Sequence, residues 1–468
     1  HPVAHSFPTR RSSDLLFADC PDALSNTLEI AQSCEFHLDF GDFVFPSFPD
    51  AGDQDIFDFL CDSVKNGIRK RYGNITDAIQ ERLNYELDII RDKGFSAYFL
   101  VLADVAKKVK LTCGRGSAAA SIVSYALGIT HVDPIKHNLF FERFLNRGRK
   151  DPPDIDVDFA WDERDTVLKY LFEKYGPEHT AMISNHTTLK ARAAVREIAK
   201  VHGLADGEIG AITKKMNSYW QPNDLWDMTQ NHPIYKETEF TDTWKEIIQR
   251  AESIRGYPRN MSVHCGGVVI APDRLDNYVP FQPAKKVLLL ADALADGSAG
   301  SLSFTTDNNS VNVVQWEKNQ AEDMKLVKMD ILGNRSLAVI RDSLKAVKEN
   351  YGIEIDYAAW NPYDDIRTIE RFYHGDTMGV FYFESPATRQ LLKKVSHRIT
   401  FADYVKMDHY QMNVVVTSII RPASNKFIQD WVKRLHGKPW QHLHPLLKSV
   451  LDETFGIMVY QEQMSQAA

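Results

Sequence analysis

The segment PDIDVDF at residues 153–159 carries the side chains best suited to chemistry. In a β-strand, side chains two positions apart share a face, so Asp154, Asp156 and Asp158 are expected on one face, about 7 Å apart. Three ionised carboxylates at that spacing repel one another, and hard oxygen ligands on Mg²⁺ turn the repulsion into coordination. The pattern predicts a metal-binding strand; the alternative is a solvated edge strand whose acidic face opposes aggregation.

A second acidic group lies in LVKMDILG at residues 326–333. The segment has the apolar character of a buried strand, and its period of two puts Lys328 and Asp330 on one face. An ionisable pair in an apolar strand needs a partner or a metal ion. The segment therefore predicts either a second contribution to a metal site or a salt bridge within one strand.

A third segment, CGRGSAAAS at residues 113–121, is rich in small residues and is predicted to be a turn that opens a helix. Glycine allows backbone N–H groups to approach an anion, and a helix N-terminus carries partial positive charge. Arg115 can add a bidentate phosphate contact, and Ser117 is either a phosphate donor or an N-cap. Packing and capping alone would also explain this composition.

Taken together, the three segments specify more than each does alone. Two-metal nucleotidyl transfer needs a phosphate-binding turn, a strand with paired carboxylates and a further aspartate on another strand. One metal ion activates the attacking 3′-hydroxyl, and the other holds the triphosphate and stabilises the leaving pyrophosphate. This combination predicts such a reaction.

Composition excludes several other classes of protein. The 468 residues suggest about three domains, and 44% hydrophobic with 25% charged residues is typical of a globular protein. A net charge of −8 argues against a small basic DNA-coating protein but allows a local basic groove. Five cysteines without CxxC spacing favour reduced thiols over a zinc site. With no apolar run near the ~20 residues of a membrane span, a cytoplasmic protein is predicted.

Hydrophobic spacing predicts the elements that must position these residues. Strands and helices are expected to alternate around the three segments, with mainly helical regions on either side. The predicted order is helical residues 16–34, two helices over 55–93, a third over 94–110, alternating strands and helices over 115–185, mostly helices over 187–260, short strands in 263–272 and 325–333, and helices after 334.

The sequence resembles the alpha subunit of bacterial DNA polymerase III, the C family of DNA polymerases. GRGSAAASIVSYALGITHVDPIKHNLFFERFLN and PDIDVDF resemble the palm of that family. The resemblance continues, in family order, through ARAAVREIAKV, RNMSVHCGGVVIAP, LVKMDILG, GVFYFES, SIIRP and FGIMVYQEQM, over residues 16–468. The segment RPASNKF looks more like the error-prone, translesion-type members.

The resemblance implies an α/β (α+β) fold. Its palm would be of the polymerase-beta-like nucleotidyltransferase type, with a mixed sheet, joined to a helical thumb and mostly helical, truncated fingers. The sequence is interpreted as an internal fragment. The expected divisions are a non-native leader at 1–15, the tail of a PHP domain with a linker at 16–50, palm at 51–186, thumb at 187–258, palm again at 259–335 and fingers at 336–468.

The resemblance also implies roles for individual residues. The site would hold two Mg²⁺ ions and a nucleoside triphosphate. By this resemblance Asp154, Asp156 and Asp330 match the catalytic metal ligands, Gly116 and Ser117 the nucleotide-binding turn beside Arg115, and Lys328 a basic residue next to the third aspartate.

Supporting roles are expected for further residues. Asp158 matches the last acidic residue of the strand and would support the site rather than catalyse. Arg192 and Arg196 share a helix face where the thumb would begin, so they would contact the DNA backbone or form a solvated basic face. His264 is interpreted as a hydrogen-bonded scaffold residue beside tightly packed glycines. Arg421 would lie in the fingers, with the Tyr460-Gln461-Glu462 segment.

The implied function is DNA-templated DNA synthesis in replication or translesion synthesis. The expected partners are primer–template DNA and dNTPs, with a sliding clamp bound through regions that this chain lacks. A metal-dependent phosphohydrolase or nuclease is one alternative. A catalytically inactive DNA-binding remnant is another, and it would be preferred if Asp330 lay far from the acidic strand.

Overall fold

A seven-stranded sheet organises the part of the chain that bears the three segments. The computed structural model describes residues 17–35, 41–216, 224–287, 310–357 and 360–467. The predicted leader at 1–15 lies outside these ranges, as does most of the predicted loop at 284–310. The strands are β1 Thr112–Arg115, β2 Asp156–Ala160, β3 Thr180–Thr188, β4 Pro258–Ile270, β5 Phe281–Val287, β6 Ser310–Val314 and β7 Lys328–Asn334.

The strands follow the order β1-β2-β7-β4-β3-β6-β5 across the sheet. Strands β2 and β7 run parallel, as do β3 and β6, whereas the β1–β2, β7–β4, β4–β3 and β6–β5 pairs are antiparallel. The predicted mixed sheet in an α/β chain is therefore confirmed.

Two strands differ from the sequence prediction in their extent. β2 begins at Asp156 rather than at 153, because Pro152 and Pro153 precede it and a proline offers no N–H to a ladder. β4 has 13 residues and begins before the apolar segment predicted at 263–272. Its first eight residues are exposed or half-buried and run along β3, so the predicted apolar segment covers the buried end of the strand and only the last three of these eight.

One face of the sheet packs on helices from the N-terminal part of the chain. The helix α4 is buried along almost its whole length, which explains its continuous apolar sequence. Val157 and Phe159 of β2, and Ile155 just before it, lie in the same core, as predicted. The first helix of the chain, α1 Pro21–Ser33, has no buried residue. The helices of this core are α2 Ile56–Tyr72, α3 Asp77–Asp92, α4 Ser96–Ala106, α5 Ile122–Leu127 and α6 Arg164–Tyr175.

A helical region with a core of its own separates β3 from β4. Buried residues such as Val195, Ile209 and Ile248 form this core, which confirms the mostly helical prediction for 187–260. The region begins where β3 and β4 extend beyond the main core as a two-stranded ribbon. Its helices are α7 Ala191–Val201, α8 Asp206–Thr213, α9 Leu225–Asn231 and α10 Asp242–Ile254.

Helices dominate after β7, as the sequence predicts. Asn334 ends β7 and caps the next helix, because its side chain accepts the backbone N–H groups of Ser336 and Leu337 at 2.9 and 3.4 Å. A third core includes Leu392, Val416 and Trp431. The helices from the β6–β7 connection onward are α11 Lys318–Asp323, α12 Arg335–Tyr351, α13 Ile366–His374, α14 Pro386–Ser396, α15 Phe401–Tyr404, α16 His409–Ile419, α17 Asn425–Leu435, α18 Lys448–Leu451 and α19 Gln461–Ala467.

In the described ranges, every helix is too short or too polar to cross a lipid bilayer.

Candidate active site

A single row of residues crosses the sheet where the three predicted segments meet. Arg115 on β1 is paired with Asp156 on β2, Asp156 with Asp330 on β7, and Asp330 with Gly267 on β4. Neighbouring strands lie about 4.8 Å apart, and residues at partner positions project their side chains from the same face. Asp156 and Asp330 therefore lie side by side, although they come from distant parts of the sequence. An inactive DNA-binding remnant would be preferred if Asp330 lay far from the acidic strand, and it does not.

Basic side chains accompany this acidic pair. Lys328, whose side chain is 7% exposed, donates a short hydrogen bond to Oδ2 of Asp330. Nη2 of Arg115 lies 3.9 Å from Oδ2 of Asp156. Oδ1 of Asp330 is buried, and within the described ranges it has no hydrogen-bond partner. One carboxylate oxygen of the pair is thus left for a ligand outside the chain.

The electrostatics of Asp156 reflect this crowding. Burial raises the pKa of Asp156; Asp330 and Asp154 raise it further, while Arg115 and Lys328 oppose the rise. The ionised form is therefore less favourable than in an ordinary aspartate, as expected where carboxylates face one another.

Asp154 occupies a different position from the other two carboxylates. It precedes β2 and is exposed. The hydroxyl of Tyr98 fixes the backbone on both sides of it, because it donates to Pro153 O at 3.0 Å and accepts Ile155 N–H at 3.3 Å. In the described part of the chain, no three His, Cys, Asp or Glu residues are grouped closely enough to hold a metal ion.

Asp158 is a structural member of the acidic strand. It is 7% exposed, and its carboxylate accepts Arg115 Nε at 3.1 Å and Asn334 Nδ2 at 2.9 Å. It therefore ties β1 to the start of α12 and holds Arg115 next to Asp156. This geometry is consistent with the supporting role expected from the sequence.

The small-residue segment forms a 3₁₀ turn over Gly116–Ala120 before α5 begins. Gly116 has φ of +69°, a conformation that suits glycine. The helix starts later than predicted, and its N-cap is Ser121, whose Oγ accepts Ser124 N–H at 3.1 Å. Ser117 is thus not the helix cap, and the capping explanation for Ser117 is wrong.

A cavity of about 630 Å³ adjoins this turn. Its lining includes Gly116, Ser117 and Arg143 on one side and Tyr410 and Glu462 on the other. The two sides meet where Arg143 forms an ion pair with Glu462 and donates from Nη2 to Gln461 Oε1 at 2.7 Å. The cavity therefore lies between the sheet-bearing region and the C-terminal helices.

The expected fingers residues differ in their relation to this cavity. Tyr460 and Glu462 line it. Arg421 is exposed, lies outside its lining and donates from Nε to Ser418 O at 3.2 Å.

Sequence reasoning missed Arg143 and Tyr98. Arg143 stands in FERFLN without a recognisable local pattern, and its importance depends on a partner more than 300 positions away. Tyr98 lies in the apolar run of α4, where an aromatic residue suggests packing alone. No local signal marks either residue.

Arg192 and Arg196 both lie on α7, as predicted, but in different environments. Arg192 is exposed. Arg196 is half-buried, and its Nη2 lies 3.2 Å from Asp206 Oδ1. Of the two, Arg192 is the better placed to meet an external anion.

His264 has the scaffold geometry expected of it. Its Nδ1 accepts the N–H groups of Gly266 and Gly267 at 3.3 and 2.8 Å. A Cβ on Gly266 would overlap the carbonyl of Ile331, and one on Gly267 would lie 2.9 Å from His264 Nδ1. Close packing at these glycines lets β4 lie beside β7, which carries Asp330.

Comparison with known proteins gives matches over nearly all of the chain. Residues 58–333 match the family described as the bacterial DNA polymerase III alpha NTPase domain, and residues 336–468 match the bacterial DNA polymerase III alpha subunit finger domain.

Curated relatives agree with these matches. DNA polymerase III subunit alpha of Bacillus subtilis is 34% identical over 97% of this chain and 38% of its own length. The error-prone DNA polymerase of Symbiobacterium thermophilum is 33% identical over 97% of this chain and 39% of its own length. DNA polymerase III subunit alpha of Neisseria meningitidis serogroup A is 33% identical, with 97% and 38% covered. The chain thus spans less than two-fifths of the length of these relatives, and both names match it almost equally.

The residue row on β1, β2 and β7 lies in the first matched range, and the helices across the cavity lie in the second. On these matches, the chain belongs to the family of bacterial DNA polymerase III alpha subunits.

Proposed function

We propose that this chain carries the catalytic region of a DNA-directed DNA polymerase. The reaction is attack of a primer 3′-hydroxyl on the α-phosphate of a dNTP: a new P–O bond forms, the α–β bridging bond breaks and pyrophosphate leaves. The names of the relatives support this activity. The observation that carries it is the residue row in which Arg115, Asp156 and Asp330 are direct neighbours beside the Gly116 turn.

The proposal includes two Mg²⁺ ions, for which Asp154, Asp156 and Asp330 are the proposed ligands. The adjacent carboxylates of Asp156 and Asp330 and the buried, unpartnered Oδ1 of Asp330 support this assignment, whereas Asp154 is not grouped with them in the described structure. When bound, Mg²⁺ would ease deprotonation of the 3′-hydroxyl and neutralise charge on the leaving pyrophosphate. The positive charges of Arg115 and Lys328 offset the repulsion between Asp156 and Asp330.

The nucleotide would occupy the cavity. The backbone of Gly116 and the hydroxyl of Ser117 would contact its phosphates. Arg143 would add its positive charge and the N–H groups that its bonds to Glu462 and Gln461 leave over. Arg115 on β1 and Lys328 on β7 are also proposed to bind the nucleotide. On the opposite wall, Tyr460 and Tyr410 are proposed to contact the base, although one face of Tyr410 is already stacked on His137.

Primer–template DNA is the proposed second substrate. Arg192 and Arg196 on α7 are proposed to contact its phosphates, Arg192 with the greater effect because Arg196 already pairs with Asp206. This interpretation takes 51–186 and 259–335 as palm, 187–258 as thumb and 336–468 as fingers. A sliding clamp or translesion partner would bind parts of a longer protein, in the cytoplasm where the bacterial chromosome lies.

Primer extension by single variants tests the proposal. Asp156→Asn and Asp154→Asn should each lower the extension rate by about a thousandfold, since a metal ligand supplies several kcal/mol to the transition state. Binding of primer–template DNA should change little, because neither side chain is proposed to contact it. Asp53→Asn, an exposed aspartate away from the row, is the matched control. Extension by Asp156→Asn at the control rate would contradict the proposal.

A further inference from the structure

A buried carboxylate lies behind the cavity wall. Glu86 on α3 is 0% exposed. It accepts hydrogen bonds from Arg82 Nε and Ser121 Oγ, both at 2.7 Å, and from the backbone N–H groups of Ile122 and Val123 at 3.1 and 3.2 Å. It thereby fixes the point where the 3₁₀ turn passes into α5.

Arg82 extends this network to a second stretch of backbone. Its Nη2 donates to Ala120 O at 2.8 Å and to Leu139 O at 3.0 Å. Ala120 and Leu139 both line the cavity, one in the turn after Gly116 and the other in the segment that leads to Arg143. One guanidinium therefore joins two walls of the same cavity.

Stability alone is a poor explanation for this pair. The neighbouring buried positions on α3 are apolar, as at Leu83 and Leu87, whereas position 86 holds a desolvated carboxylate that accepts from four donors. A buried ion pair recovers its desolvation cost only when every hydrogen bond is in place, and apolar replacements are often equally stable. What the pair provides instead is a fixed geometry between two backbone segments.

We propose that Arg82 and Glu86 are positioning residues for nucleotide binding. They hold the Gly116–Ala120 turn and the segment around Leu139 at the separation that a nucleoside triphosphate requires. Neither side chain is among the residues that line the cavity, so they act through the backbone that does. This inference rests on the proposed function.

Nucleotide affinity and steady-state kinetics of the 468-residue chain test the inference, with dATP and MgCl₂ as probes. Glu86→Gln leaves Arg82 without its counter-charge, and Arg82→Lys cannot reach three acceptors in a fixed fork. Each should weaken dATP binding and raise KM for dATP by about tenfold, with kcat within about twofold, because the reacting atoms are untouched. Asp88→Asn is the matched control, since Asp88 forms an exposed pair with Arg91 on the same helix.

Hydrogen exchange separates positioning from general destabilisation. Glu86→Gln should increase amide exchange at 116–123 and at 136–140 together. Leu171→Ala, which opens the same core at a side chain outside the cavity lining, should lower the thermal midpoint without raising KM for dATP.

Two results would overturn this inference without touching the proposed function. One is a wild-type KM for dATP in Glu86→Gln, and the other is a rise in KM in Leu171→Ala as large as that in Glu86→Gln. A wild-type chain that binds no dATP would instead contradict the proposed function on which the inference rests.

Discussion

Neighbouring aspartates on β2 have opposite relations to their surroundings. Asp158 is buried and receives two hydrogen bonds, from Arg115 and Asn334. Asp156 is less buried, and burial together with Asp330 and Asp154 raises its pKa. A carboxylate with a raised pKa costs folding free energy at neutral pH, because the unfolded chain ionises more readily. The same residue type is thus stabilising at one position and costly two positions earlier.

Stability measurements should separate these two aspartates. Asp158→Asn should lower the free energy of unfolding by about 1–3 kcal/mol, because the buried carboxylate loses its charge and its ion pair with Arg115. Asp156→Asn should leave stability unchanged or raise it, because it removes repulsion from Asp330. Urea unfolding of both variants at pH 7 measures the difference. A larger loss of stability in Asp156→Asn than in Asp158→Asn would contradict this assignment of roles.

Residue types and spacing alone predict much of the acidic site. The period of two in PDIDVDF predicts that Ile155, Val157 and Phe159 are buried, as they are. The same period in LVKMDILG predicts that Lys328 and Asp330 share a face, and the two side chains form a hydrogen bond. The contacts of Arg82 and Glu86 could not be foreseen, because an i,i+4 pair on an amphipathic helix is normally solvated. Its burial depends on Ser121 and Leu139, which approach only in the folded chain.

At the scale of elements, two glycines serve different purposes. Gly116 needs its positive φ, and a Cβ there would meet no atom of the described residues within 4 Å. Gly266 lies where β4 approaches β7, and a Cβ would overlap the backbone of Ile331. The first glycine shapes the turn, and the second allows the strand pairing that presents Asp330.

Alanine at each position should therefore have different consequences. Gly116→Ala should cost about 1–2 kcal/mol of stability from backbone strain and weaken dATP binding. Gly266→Ala should cost about 3 kcal/mol, at the upper end for overpacking, because β4 and β7 must separate. Urea unfolding monitored by circular dichroism, together with dATP titration, measures both effects. If Gly266→Ala proves the milder of the two for stability, the proposed strand contact is wrong.

The elements themselves were predicted with uneven success. Long amphipathic or apolar helices such as α2 and α4 carry strong periodic signals and were identified. The polar half of β4 was missed, because it forms a ribbon outside the core and shows no apolar alternation. The late start of β2 follows from Pro152 and Pro153, which cannot donate to the ladder, whereas the period of two alone extends the predicted strand back to 153.

At the scale of the whole molecule, the candidate site depends on contacts between distant parts of the chain. β2 and β7 are separated in sequence by the entire α7–α10 region, which leaves the sheet at β3 and returns at β4. The cavity further requires the C-terminal helices, joined to the sheet region through Arg143 and Glu462. From the sequence, only the family resemblance suggests that β2 meets β7 and that Arg143 meets Glu462, because these contacts form only in the folded chain.

Asp330 and Asp156 are proposed to form one site for nucleotidyl transfer. The most direct measurement is primer extension on a labelled primer–template, with MgCl₂, by the wild-type chain and Asp330→Asn, each with and without dNTPs. Asp323→Asn, an exposed aspartate on α11, is the matched control. The expected result is dNTP-dependent extension by the wild type and the control, with at least about a hundredfold less by Asp330→Asn. Extension by Asp330→Asn at the control rate, or shortening of the primer without dNTPs in place of extension, would contradict the claim.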